Sequence, residues 1–130
     1  MTVEEMLIEF HKAYGQEIGE GFKKPSVRAL RESLLREEFN EYIDGERNSD
    51  IVEIADALAD IVYVAVGAAV AYGIPFDKVF AEVHASNMSK LGADGKPIKR
   101  EDGKILKGPN YFRPRIAEII SAIQASPSGE

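Results

Sequence analysis

The sixteen consecutive uncharged residues from Ile61 to Phe76 leave this chain few folds. A membrane-spanning helix needs roughly 20 apolar residues, and extending the run backwards meets Asp60, Asp56 and Glu53. The simpler reading is a central helix buried in a bundle. Asp50, with Glu53 three residues on, offers a capping box at its start, and Gly73 followed by Ile74 and Pro75 marks its end. At 130 residues the chain has the usual size of one domain. A single domain is expected over 1–125, with a frayed tail at 126–130.

Other helices arrange themselves around this one. Met6, Leu7, Phe10 and Tyr14 have helical spacing, and the glycines between Gly15 and Pro25 break the pattern. A second helix is expected from about Ser26 to Asp44, stopping before Gly45. A fourth begins with Pro75 in its first turn and keeps apolar residues in period to about Lys90. From Leu91 to Asn110 the Gly and Pro residues describe turns, and Ile98 and Ile105 flank Asp102-Gly103 as in a short hairpin. A last helix follows, with Pro114 in its first turn and Ile116, Ile119, Ile120 and Ile123 on one face. The fold class is therefore all-α, a four- to five-helix bundle with a short Gly/Pro-rich loop or hairpin before the last helix.

Composition narrows the partners. The formal net charge of −6 gives no basic excess to displace counterions, which argues against a nucleic-acid partner. No cysteine is present, so disulfides and thiolate metal sites are ruled out and a reducing cytoplasm is the natural home. The opening MTVEEMLIEF is acidic where a secretory signal would be basic.

The carboxylates carry the chemistry. At about 100° per residue, Glu38 falls in the middle of the apolar sector formed by Val27, Leu30, Leu34, Leu35 and Tyr42, with Glu41 and Glu37 inside it or at its edge. On the central helix Glu53, Asp56 and Asp60 share one stripe that continues to Val64 and Gly67, so these acids point inward. Solvated acids belong on the opposite face. The bland alternative is that they are exposed and paired with Arg28, Arg31 and Arg36. Buried together they need a cation, because desolvation and repulsion both oppose ionisation. An all-oxygen donor set selects Mg²⁺, with Mn²⁺ as a substitute, and Mg²⁺ commonly shares its coordination with phosphates.

The ordered segments Leu34-Leu35-Arg36-Glu37-Glu38-Phe39-Asn40-Glu41 and Glu53-Ile54-Ala55-Asp56-Ala57-Leu58-Ala59-Asp60, with Glu82 to Leu91 and Lys107 to Phe112, resemble the MazG-like all-α nucleoside triphosphate pyrophosphohydrolases. The likeness is to the phosphoribosyl-ATP pyrophosphohydrolase-like branch and covers about residues 5 to 120. It implies a Mg²⁺-dependent hydrolase that converts a nucleoside triphosphate to the monophosphate and pyrophosphate, possessing more than one ion per site and assembling as a homodimer or homotetramer. Carried over, Glu38, Glu41, Asp56 and Asp60 are metal ligands, with Glu53 a further candidate. Ala57 stands where many relatives have the second glutamate. Glu37 or Glu38 accepts the proton of the attacking water, Asn87 and Lys90 reach the phosphates, and Asn110 and Tyr111 line the base pocket. A purine such as dGTP is one expected substrate; phosphoribosyl-ATP and dUTP are alternatives.

Two other classes compete. A di-iron bundle expects Glu-x-x-His on two helices, whereas Glu82-Val83-His84 is one residue short. A helical interaction module without catalysis would use the acid stripes against a basic partner. The glycines do not form a P-loop, and His11 and His84 read as structural.

Overall fold

The computed structural model describes residues 1–125, with side chains to Ser121, and contains five α-helices among them. The expected frayed tail at 126–130 lies outside the described residues, as does the side chain of Ile123. The chain divides into two compact units, Met1–Phe76 and a second unit beginning at Asp77.

In the first unit, α1 spans Val3–Ala13, α2 Pro25–Arg47 and α3 Ile51–Tyr72, with a 3₁₀ turn at Gly21–Lys23. The start of α1 is fixed by a capping box, in which the Glu5 amide donates to Thr2 Oγ1 and the Thr2 amide to Glu5 Oε1. Leu7 of α1 packs with Val66 and Val70 of α3 to form the buried apolar centre, and Ile8 and Phe76 close on it. His11, also buried, donates from Nδ1 to the Glu17 carbonyl at 2.8 Å and so anchors the loop after α1. This agrees with its structural reading.

The helical hairpin α2–α3 is the main packing of the unit. Its first helix runs three residues beyond the expected stop at Asp44. A methyl group at the buried Gly45 would stand 3.1 Å from Ile54 Cγ1 and 3.4 Å from Glu53 Cγ. This glycine marks a close approach of two helices rather than a helix end. The turn comes at Ser49, whose φ of 52° is left-handed. Asp50 then caps α3 by accepting from the amides of Val52 and Glu53. Only half of the expected capping box forms, because the Asp50 amide donates to the Gly45 carbonyl instead. At the other end Gly73, with φ 79°, stops α3 in a Schellman turn: its amide donates to Val70 O and that of Ile74 to Ala69 O. By length and composition alone α3 could cross a membrane, and a third of its most apolar window (33%) is buried.

In the second unit, α4 covers Phe76–Met88 and α5 Ile116–Ala125. Both prolines precede their helices rather than occupying the first turn. The expected hairpin exists in minimal form, as one antiparallel bridge between Lys99 and Ile105 around Asp102-Gly103. Buried Ser86 donates to the Phe112 carbonyl at 2.8 Å, and the Phe112 amide donates to Ser89 Oγ at 3.1 Å. These bonds tie the end of α4 to the segment before α5.

Candidate functional site

The acid stripes of α2 and α3 meet. Glu38 is three residues before Glu41 on one helix, and the antiparallel return of the chain brings Asp60 opposite them. One carboxylate oxygen from each of the three lies within 4.8 Å of the others. Glu38 and Asp60 are half-buried and Glu41 is exposed, so the cluster opens on one side to water.

The electrostatics are those of an uncompensated site. Oε2 of Glu38 is buried with no hydrogen-bond partner. Its carboxyl is pushed up to about 7, by burial first, then by Glu41 as a hydrogen-bonding and charged neighbour, and then by the charges of Asp60 and Glu37. Asp60 is raised by burial and by the charges of Asp56 and Glu41. The three arginines that offered alternative partners for these acids are engaged elsewhere. Arg36 bonds Glu32 at 3.2 Å, Arg28 lies 4.6 Å over the Phe22 ring, and Arg31 donates to the Val64 carbonyl at 3.1 Å. A buried, partnerless carboxylate oxygen beside two further acids fits an oxygen-coordinated divalent cation.

The other sequence candidates fall into two groups. Glu37 and Asp56 are exposed and adjoin the cluster, each contributing charge to a cluster acid. Glu53 is half-buried near Gly45 in the first turn of α3, seven residues before Asp60 and outside the cluster of three. Asn87, Lys90, Asn110 and Tyr111 all belong to the second unit. There the Ser86 and Ser89 bonds to Phe112 draw the end of α4 to the segment carrying Asn110 and Tyr111. Asn87 is exposed and Lys90 half-buried, while Tyr111 has the Lys107 ammonium 4.9 Å from its ring centroid.

Sequence reasoning passed over Arg31 as a surface partner for acids. It is buried, 8% exposed, and its Nε has no hydrogen-bond partner. Gly67 carried the signal: a methyl group there would overlap Arg31 Nη2.

Comparison with known proteins bears on this geometry. Residues 7–87, which include both acid stripes, match the family described as phosphoribosyl-ATP pyrophosphohydrolase. An uncharacterized protein of Acanthamoeba polyphaga mimivirus is 32% identical over 75 residues, covering 53% of this chain and 30% of that protein. The chain thus spans less than a third of that relative's length.

Proposed function

Because this chain belongs to the phosphoribosyl-ATP pyrophosphohydrolase family, a family of nucleotide pyrophosphohydrolases, we propose that it cleaves a nucleoside triphosphate between the α- and β-phosphates, releasing monophosphate and pyrophosphate. The observation that carries this reading is the cluster of Glu38, Glu41 and Asp60 with its orphaned, buried oxygen. These three carboxylates would hold Mg²⁺, or Mn²⁺ in its place. When bound, such an ion neutralises phosphate charge and makes a neighbouring water more acidic.

The chain's own groups do the rest. Glu37, exposed beside the cluster, accepts the proton of the attacking water. Asp56, one turn before Asp60, adds negative charge for a second cation. The family's own description favours phosphoribosyl-ATP as a second candidate substrate, and it has the same bond to break. The test is a turnover screen of nucleoside triphosphates, phosphoribosyl-ATP and dUTP, with Mg²⁺ or EDTA. Monophosphate and pyrophosphate in equal amounts, only with metal, is the expected result. Orthophosphate as first product refutes the site of attack, and turnover in EDTA refutes the mechanism.

We further propose a homodimer or homotetramer. Its support is the exposed apolar residues Leu35, Phe39, Leu58 and Val62 on the two helices of the hairpin, since grouped apolar residues on a surface commonly mark an interaction site. The acids Glu53, Asp56 and Asp60 in the first half of α3 support an interface rather than a membrane as the setting for its exposed side. Light scattering at micromolar concentration should exceed the 14.3 kDa of one chain; a monomer contradicts the proposal. Absence of cysteine and the net charge of −6 support a reducing cytoplasm and a small-molecule partner rather than nucleic acid.

A further inference from the structure

A second place between α2 and α3 is short of a counter-ion, here of opposite sign. Arg31 is buried, its Nη2 is committed to the Val64 carbonyl, and its Nε has no partner. Among the described residues no carboxylate lies within ion-pair distance of it. Burial pulls its pKa down, but a guanidinium remains charged at any physiological pH. A desolvated charge with only carbonyl contact is costly and is ordinarily met by an anion.

The space for one is present. Arg31 lines a cavity of about 440 Å³ together with Arg28, Glu32, Leu35, Ala68 and Tyr72. That volume lies within the range of small-molecule sites, and an apolar wall with a few polar groups is their usual composition. Its charges are unevenly committed. Glu32 is held by Arg36, whereas Arg28 lies over the face of Phe22 and, among the described residues, has no carboxylate within ion-pair distance. The lining therefore has two arginines free of carboxylates. Arg31 precedes Glu38 by seven residues, about 10 Å along the helix, and none of the three cluster acids lines the cavity.

We propose that this cavity binds a small phosphate-bearing ligand, held by Arg31 and Arg28 of its lining, with Leu35, Ala68 and Tyr72 as the apolar wall. Guanidinium groups match phosphate oxygens in charge and fork geometry. The ligand is either free phosphate or a mononucleotide, which share that chemistry. The proposal does not depend on the activity proposed above, since it concerns different residues.

The experiment is calorimetric titration of the full chain in EDTA, which removes any cation that could carry phosphate to the acid cluster. Orthophosphate and AMP are the two probes. We expect saturable binding of one ligand per chain, weakened by added salt. Arg28→Ala should weaken it about tenfold, and Arg31→Gln should abolish it while melting no lower than the wild type, because an unpaired buried charge is gone. Should Arg31→Gln fail to fold, Ala68→Leu, which fills the cavity, tests the same point by blocking the ligand. AMP binding tighter than orthophosphate identifies a nucleotide site, and equal binding identifies a phosphate site. Absence of saturation with either probe up to about 10 mM, or binding unchanged in both Arg28→Ala and Ala68→Leu, overturns the proposal.

Discussion

Replacing Glu38 with Gln removes one charge from the acid cluster while keeping its volume. The carboxyl of Glu38 is raised from its ordinary 4.5 to about 7, chiefly by burial. Between those values the folded chain holds a proton that the unfolded chain has lost. Unfolding therefore becomes easier as pH rises through this window, and the loss is complete above pH 7. A shift of this size is worth roughly 3 kcal/mol. Water reaches the cluster through the exposed Glu41, and screening reduces the figure to about 1–2 kcal/mol. Metal-free Glu38→Gln should then be about 1–2 kcal/mol more stable than wild type at pH 8 and equal to it near pH 4, where the carboxyl is largely protonated in the folded and the unfolded chain alike. Urea unfolding in EDTA at the two pH values measures this. Added Mg²⁺ should reverse the order at pH 8, since only the wild type retains all three ligands, and turnover should nearly vanish in the variant. A variant less stable than wild type in EDTA at pH 8, or a gain that does not change with pH, would refute the reasoning.

Three further outcomes follow from the same hairpin. Asp60→Asn should lower turnover by about 100-fold or more, whereas Asp56→Asn, one turn away and exposed, should cost about tenfold; steady-state rates at saturating Mg²⁺ compare them, and equal losses would place Asp56 among the direct ligands. Gly67→Ala should destabilise by about 1–2 kcal/mol in urea, because the new methyl group displaces Arg31 Nη2, even after the better helix propensity of Ala is credited. Adding Arg31→Met should recover most of that loss; failure to do so would show that another neighbour is struck. Ser49→Gly should stabilise by about 0.5–1 kcal/mol by relieving a left-handed residue with a side chain, and a lower melting temperature would contradict this.

How far the sequence could be read depended on whether a residue's neighbours lie along the chain or across it. The start and end of α3 were legible because Asp50 and Gly73 act on amides and carbonyls of their own helix. The hairpin at Asp102-Gly103 was legible for the same reason. Gly45 misled because its role is tertiary: it lets Ile54 approach, and nothing in the local sequence distinguishes that from a helix stop. The acid cluster was legible in outline, since a wheel places Glu38, Glu41 and Asp60 on inward faces. A wheel cannot say which turn of α3 comes opposite Glu38. That register separates Asp60 from Glu53, and it is set by the Asn48 to Asp50 turn together with the packing of Gly45 against Ile54.

The same register explains why the hairpin cannot neutralise its own acids. The α2 face that presents Glu38 also presents Arg31 seven residues earlier, and the α3 face that presents Asp60 continues to Val64 and Gly67. Antiparallel packing matches Glu38 with Asp60 and Arg31 with Val64 and Gly67, so unlike charges are held about two helical turns apart. At that separation, about 10 Å, two unit charges attract by only about 2 kcal/mol even at an effective dielectric of 20. Sliding one helix to bring Arg31 to the acids would take Gly67 out from under the guanidinium and Gly45 away from Ile54, the two places where a Cβ would press on its neighbour. The packing thus holds a carboxylate cluster and a guanidinium apart along one seam, where neither neutralises the other.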